Sequence, residues 1–188
     1  LMQQEFHQSS SDFQNARVDG LPEIQELREL IGDLSDPEQT FRRKALAKLG
    51  QLGQSAVAAL PVVIERLTSD RNSSVREAAA CSLGLIGDPR AVPALLDSFR
   101  SDVNYDVRLG AAHALARIGD SSAVPALTEV LEPDTLLLRI GDVLLESVSG
   151  TDRFASRSDL KREVLQVLEE FGPAAAEAAV PLSRILKA

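Results

Sequence analysis

Apolar residues along this chain recur at the spacing of one face of a helix. In the segment 73–86 they lie at positions i, i+4, i+8 and i+11, which are Val75, Ala79, Leu83 and Ile86. This spacing follows the 3.6-residue period of an α-helix and predicts an amphipathic helix with one buried stripe. A second apolar stretch follows in the segment 91–99, with a proline near its start. The pattern therefore predicts a pair of helices.

The same pattern occurs three times, with the marker glycines 34 and 32 residues apart. Each copy has an aspartate, an arginine six residues later, a glycine after the first stripe and a proline in the second. The markers are Asp36, Arg42, Gly53 and Pro61, then Asp70, Arg76, Gly87 and Pro93, then Asp102, Arg108, Gly119 and Pro125. Units of this length bury their apolar faces by stacking on their neighbours, so the period predicts a repeat protein.

The predicted helix ends follow from the same markers. Gly87 and Gly119 are placed for left-handed C-caps, because glycine has no Cβ to clash there, and the nearby Ser and Asp residues are expected N-caps. Pro93 and Pro125 fall in a first helical turn, where the missing N–H is not needed. Pro61 follows a longer apolar run and is expected to kink its helix.

Two segments carry a resemblance to a known family. Gly-Asp-Pro-Arg-Ala-Val-Pro-Ala-Leu at 87–95 and Gly-Asp-Ser-Ser-Ala-Val-Pro-Ala-Leu at 119–127 resemble the HEAT-like repeats of the phycobilisome-lyase (PBS lyase) type. The resemblance covers about residues 21–187. It implies an all-α fold, an α-solenoid of about five helix pairs, in which the helix with the Val-Arg pair lines the concave side. It also implies a structural ladder of Asp36, Arg42, Asp70, Arg76, Asp102 and Arg108.

Domain boundaries follow from where the pattern holds and where it fails. We expect a flexible polar tail at 1–20 and a repeat domain at 21–188. Within that domain the predicted parts are a capping helix 21–33, repeats at about 36–69, 70–101 and 102–133, a degenerate unit 134–157 and a C-terminal cap 158–188. In the degenerate unit, placing Arg139 at the ladder position would bury the carboxylates of Asp142 and Glu146. We therefore prefer a register shifted by one residue, in which the ladder ends at the third unit.

Composition excludes several classes of protein. The formal net charge of −8, from 28 acidic and 20 basic residues, disfavours nucleic-acid binding. The single cysteine excludes an internal disulfide or a multi-cysteine zinc site. Without a signal-like start or an apolar run long enough to cross a bilayer, we expect a cytoplasmic protein that does not insert into membranes.

The sequence predicts neither a catalytic residue nor a metal site. The chain has two histidines, His7 and His113, and no His-Glu pair of the kind that binds iron in HEAT-repeat hydroxylases. Cys81 and His113 occupy the same position of adjacent units, but neighbouring helix axes about 8–10 Å apart leave the two side chains too distant for a nucleophile–base pair.

The face opposite the apolar stripe is the candidate binding surface. We call it the inner-helix surface, and its predicted partner-binding residues are Arg43, Gln51, Glu77, Cys81, Leu85, Leu109, His113 and Arg117. Leu85 and Leu109 are either anchors for a partner or packing residues against a neighbouring unit. Phe154, in a polar loop, is either a second anchor or a plug for the gap left by a missing helix.

Two functions follow from these observations. The first is a non-catalytic scaffold or adaptor that docks another protein on its concave surface, with no cofactor. The alternative follows from the resemblance, since some proteins with these repeats attach or remove a bilin on phycobiliproteins as one subunit of a complex, and others act in phycobilisome turnover. Under that alternative the partner is a phycobiliprotein or a second lyase subunit. An extended bilin would then need arginines for its propionates and apolar walls, which Arg43, Arg117, Leu85 and Leu109 supply.

Overall fold

The computed structural model describes residues 22–129 and 157–171, and every regular element in these ranges is helical. The α-helices are α1 (Pro22–Asp33), α2 (Gln39–Leu52), α3 (Leu60–Ser69), α4 (Ser73–Ile86), α5 (Val92–Ser101), α6 (Tyr105–Ile118), α7 (Val124–Glu129) and α8 (Arg157–Glu170). Short 3₁₀-helices at Gly53–Ala59, Pro89–Ala91 and Ser121–Ala123 lead into α3, α5 and α7. The expected all-α class is confirmed for the described ranges.

The helices stack in two rows. The first helices of the units, α2, α4 and α6, pack against one another in order, and α8 packs against α6. Each second helix lies against the first helix of the following unit, α3 against α4 and α5 against α6. This arrangement of stacked helix pairs is an α-solenoid, as the repeat pattern predicts.

One continuous core runs along the stack. The predicted stripe of α4 is buried throughout, and its four residues are Val75, Ala79, Leu83 and Ile86. Val164 and Leu168 of α8, and Phe171 directly after it, are also buried. Since the core contains few aromatic side chains, its volume is filled by Leu, Val, Ile and Ala.

Neighbouring first helices approach each other closely where glycine replaces a larger residue. A Cβ built on Gly84 of α4 would lie 2.8 Å from the Cα of Ala114 in α6. A Cβ on Gly50 of α2 would lie 2.9 Å from Cδ1 of Leu85 in α4. No Cβ fits at Gly84 at the observed helix spacing, because the backbone of Ala114 is in the way. A Cβ at Gly50 would require the flexible end of the Leu85 side chain to shift.

The helix starts differ from the prediction. The N-caps of α4 and α6 are Asn72 and Asn104, whose side-chain oxygens accept hydrogen bonds from backbone N–H groups of the first turn. The Ser and Asp residues expected as caps lie next to these asparagines in the sequence. The aspartates do not cap the helices, because their carboxylates accept hydrogen bonds from other groups, as Asp70 does from Arg42. The C-caps are as predicted, with Gly87 and Gly119 in the left-handed region at φ of 73° and 74°.

The expected kink at Pro61 is wrong. Helix α2 ends before Gly53, where φ is 56°, and the apolar run 53–59 forms a 3₁₀-helix. Pro61 is then the second residue of α3, in the first turn. Its missing N–H therefore breaks no hydrogen bond, and it has the same role as Pro93 in α5.

One described stretch, Gln39–Ser69, is long and apolar enough to cross a membrane, with a mean hydropathy of 1.2 over 18 residues. It consists of α2, the following 3₁₀-helix and α3, and the backbone leaves helical geometry at Gly53. Leu46, Leu49 and Val63 of this stretch are fully buried in the protein core. A third of this 18-residue window is buried in the protein, and core helices meet the same criterion, so length and composition alone do not identify a membrane span.

Some predictions lie outside the described residues. These are the tail 1–20, the slipped register of the degenerate unit at Arg139, the Phe154 loop and the part of the C-terminal cap after residue 171.

The close approach of α4 and α6 makes a matched pair of substitutions informative. Gly84→Ala places a methyl group against the backbone of Ala114, so we expect a loss of about 1–3 kcal/mol in the free energy of unfolding. In Gly110→Ala the new Cβ finds its nearest neighbour at 3.7 Å. We expect that variant to match the wild type or gain up to about 1 kcal/mol from helix propensity. Urea unfolding measures both, and equal effects would contradict the assigned packing.

Candidate functional site

Successive units are joined by a buried ion pair along one edge of the stack. The guanidinium of Arg42 in α2 binds both carboxylate oxygens of Asp70, with Nε–Oδ2 at 2.8 Å and Nη2–Oδ1 at 2.9 Å. The remaining donor, Nη1, contacts the backbone oxygens of Asp36 and Pro37 at 2.8 and 3.0 Å. The side chains of Arg42 and Asp70 are only 6% and 2% exposed, so the pair is shielded from water and salt.

The next unit repeats this geometry. Arg76 in α4 binds Asp102 through Nε at 2.7 Å and Nη2 at 2.9 Å, and its Nη1 donates to the backbone oxygen of Asp70 at 2.9 Å. Arg108 in α6 likewise donates from Nη1 to the backbone oxygen of Asp102 at 2.8 Å. Arg42 and Arg76 thus each take a carboxylate from the following unit, and all three arginines take a carbonyl from their own. The aspartate six residues upstream, which defines the sequence marker, contributes its backbone rather than its side chain.

The paired carboxylate also organises the start of the next helix. Besides Arg42, Asp70 accepts a hydrogen bond from the backbone N–H of Asn72 at 3.0 Å. The side chain of Asn72 in turn accepts from the N–H groups of Ser74 and Val75. Asp36 makes the corresponding turn with the N–H of Glu38 at 2.7 Å. The ion pair, the turn and the helix cap are therefore one connected network.

The network changes the acidity of its members. Burial alone would raise the pKa of Asp70, but the hydrogen bonds from Arg42 and Asn72 outweigh it, and the pKa lies below its usual value. The hydrogen bond to Asp70 raises the pKa of Arg42, and the bond to Asp102 raises that of Arg76. The Arg42–Asp70 pair is therefore charged at neutral pH.

A depression of about 490 Å³ lies on this edge. Its lining includes Asp70, Arg76, Asp97, Asp102 and Val103. Asp70, Arg76 and Asp102 are committed to the contacts just described. None of the predicted partner-binding residues lines it. The edge of the stack that carries the Arg–Asp pairs, which we call the ladder edge, is therefore separate from the inner-helix surface.

The inner-helix surface is only partly open to solvent. Arg43, Gln51, Cys81, Leu85 and Arg117 are exposed. Glu77, Leu109 and His113 are half-buried. Leu85 is 39% exposed while its Cδ1 covers Gly50 of the preceding first helix. It therefore both packs against its neighbour and presents an apolar surface, so the two alternatives for Leu85 are not exclusive.

The thiol of Cys81 is not poised for chemistry. Although Cys81 is exposed, the protein around its sulfur removes part of the solvent, and this desolvation raises the pKa of the thiol above its ordinary value. The nearby charge of Glu77 raises the pKa further. The thiol is thus protonated at neutral pH, whereas the thiolate is the nucleophile and metal ligand. Within 22–129 and 157–171, no three His, Cys, Asp or Glu residues stand close enough to hold a metal ion.

Helix α2 carries an exposed aromatic residue, Phe41, that is not among the predicted partner-binding residues. Phe41 is 47% exposed, although Val75 and Val107 at the equivalent positions of α4 and α6 are fully buried. Its helix, α2, contains four basic residues and no acidic one. The sequence contains an indication of this difference, because aligning the repeats places an aromatic residue in α2 where α4 and α6 have valine.

The buried pair predicts a large difference between two adjacent arginines. Arg42→Ala leaves the carboxylate of Asp70 buried without its bidentate partner, and we expect a loss of about 3–5 kcal/mol in unfolding free energy. Arg43→Ala removes an exposed side chain and should stay within about 0.5 kcal/mol of the wild type. Chemical denaturation of both variants tests this, and similar losses would refute a structural role for the pair.

Stability should also fall in acid through Asp70. Because its pKa is lower in the folded protein, its contribution is complete above the unfolded value near about 4 and is lost as pH falls through the folded value. Asp70→Asn should lower stability at neutral pH and flatten this part of the pH profile, as measured by thermal melting. Asp97→Asn, at an exposed carboxylate, is the control, and an unchanged acid limb in Asp70→Asn would contradict the assignment.

Comparisons with known proteins agree with the geometry. Residues 24–109 match the family described as HEAT repeats, and residues 107–133 match the PBS lyase HEAT-like repeat. The fold is similar to a chain in the complex of CpcE and CpcF of phycocyanin lyase from Nostoc sp. PCC7120, with a TM-score of 0.63 and 26% sequence identity. The match covers 85% of this chain and 57% of that chain, so this chain spans little more than half of its relative.

No curated protein matches the sequence significantly. The repeats, the stacked helix pairs and the two family matches nevertheless agree with one another. The chain is a HEAT-repeat protein with a PBS lyase HEAT-like repeat, and it resembles the CpcE–CpcF phycocyanin lyase.

Proposed function

We propose that this protein is a binding subunit of a bilin-lyase-type complex that handles phycobiliproteins. The observation that carries the proposal is the similarity, over 85% of the chain, to one chain of the CpcE–CpcF phycocyanin lyase. That relative is itself part of a two-protein complex, which supports a protein partner for this chain. The same fold hosts many activities, so the activity needs a test of its own.

The inner-helix surface has groups suited to an extended bilin substrate. A bilin carries an apolar conjugated chain and two propionate carboxylates. Leu85 on α4 and Leu109 on α6 provide apolar surface in the middle of the row. Arg43 on α2 and Arg117 on α6 are exposed cations of this surface, and either would pair with propionate carboxylates.

The chain's own groups favour a role in binding rather than in bond making. The thiol of Cys81, on the same surface, has a raised pKa and is protonated at neutral pH. A protonated thiol is a weak nucleophile. We therefore assign to this chain the positioning of the bilin or of its acceptor protein, and to the second subunit the completion of the reactive site.

A second candidate is an adaptor that docks a protein without handling a bilin. The exposed part of Leu85 favours it, because an apolar side chain at the centre of a surface is a common anchor in protein interfaces. The two candidates share a surface and differ in whether a bilin is bound.

The deciding experiment measures covalent bilin on phycocyanin. The purified chain is mixed with apo-phycocyanin, free bilin and, in turn, the CpcE or CpcF chain of the Nostoc relative, and bilin absorbance is read on the denatured protein. The reverse assay starts from bilin-loaded phycocyanin. We expect attachment or removal with one of the two chains, and a loss of about tenfold in Arg43→Ala/Arg117→Ala because the propionate contacts are gone.

Arg71→Ala is the control, since Arg71 is exposed on the ladder edge and away from the inner-helix surface. Phycocyanin binding with no change in covalent bilin in any pairing would establish the adaptor instead. Absence of both binding and bilin transfer would reject both functions.

A further inference from the structure

Helix α2 presents to solvent a face that the later units bury against a neighbour. Aligned on the ladder arginines, residues 41, 44 and 48 of α2 correspond to 75, 78 and 82 of α4 and to 107, 110 and 114 of α6. In the later units this face lies against the preceding first helix. Ser82 donates its hydroxyl to the backbone oxygen of Leu46 at 2.6 Å, and Ala114 lies against Gly84.

The residues on this face differ in α2 alone. The later units have valine followed by small residues, which permit close helix contact. Helix α2 has Phe41, Lys44 and Lys48, and all three are exposed although α1 packs against the same helix. We call these three residues the α2 end face.

Within the described residues α2 is the first of the stacked first helices, and a polar face is expected at such an end, which accounts for the two lysines. It does not account for Phe41, which leaves about half of an aromatic side chain in water, at 47% exposure. The ammonium of Lys44 lies 5.5 Å from the centre of the Phe41 ring, so the charge and the apolar surface form one patch.

The positive charge of this patch is not balanced by carboxylates on its own helix. Helix α2 has no acidic residue, and its one buried cation, Arg42, is paired with Asp70. Within the part of the chain that the structure describes, Lys44 and Lys48 make no ion pair. Two unpaired lysines stand here on a chain whose formal net charge is −8.

We propose that the α2 end face docks an acidic helical segment of a partner protein, which takes the position of a preceding first helix. Carboxylates on the segment pair with Lys44 and Lys48, and an apolar residue covers Phe41. A protein is favoured over a nucleic acid because the net negative charge of the chain repels a continuous polyanion, whereas a short acidic segment meets only the local field. The inference rests on the proposed function only in taking the partner to be a protein.

The probe is a synthetic helical peptide of about 20 residues, with leucines on one face and glutamates beside them. Binding is followed by fluorescence anisotropy at low and high salt. Lys44→Gln/Lys48→Gln lowers the net charge by two, and Arg71→Glu makes the same change at an exposed site on the ladder edge. We expect the double variant to weaken binding about tenfold, Phe41→Ala to weaken it as well, and Arg71→Glu to change it by less than twofold.

Two further probes complete the test, a peptide with glutamine for each glutamate and a 20-nucleotide oligo-dT. Weak binding of both supports the proposal. Failure of the acidic peptide to bind, equal losses in the double variant and in Arg71→Glu, or tighter binding of oligo-dT would each overturn it. Circular dichroism of each variant checks that its helices are retained. No bilin enters this assay, so its failure and the failure of the bilin assay are separate results.

Discussion

The ion pair between an arginine in one first helix and the aspartate that opens the next unit is the contact on which the stack depends. A buried pair of this kind adds little net stability over a well-packed apolar pair, because both charges lose their water. Its value lies in geometry. The bidentate contact from Arg42 to Asp70 fixes the distance and rotation between units, and the same carboxylate holds the turn that Asn72 caps. A shift of register would leave two buried charges unpaired.

Glycine positions set the second constraint. Where Gly84 faces Ala114, the first helices meet backbone to side chain with no room for another carbon. The contact between Gly84 and Ala114 and the ion pairs of the ladder both constrain the distance between neighbouring first helices. Because the helices are so close, a side chain on a solvent face also contacts the preceding unit, as Leu85 does over Gly50.

Much of this could be predicted from the sequence, and the failures have physical causes. The period, the buried stripe of α4 and the left-handed Gly87 and Gly119 follow from local patterns and are confirmed. The capping by Asn72 was missed because the neighbouring Ser and Asp have the same propensity, and only the tertiary contact of Asp70 with Arg42 decides which residue caps. The kink at Pro61 was wrong because a 3₁₀-helix precedes it, which apolar periodicity does not distinguish from an α-helix.

Ladder pairing shows a more general limit of repeat sequences. The spacing of six residues between Asp70 and Arg76 is regular, yet the contact it marks is a backbone carbonyl, and the carboxylate comes from the following unit. A sequence repeat shows which positions of the units are equivalent. It does not show which neighbouring unit each of these residues contacts. The same holds for solvent exposure. Phe41 and Val75 occupy equivalent positions, but among the described residues only Val75 has a preceding first helix against it, so the place of a unit in the stack decides whether its side chain forms core or surface.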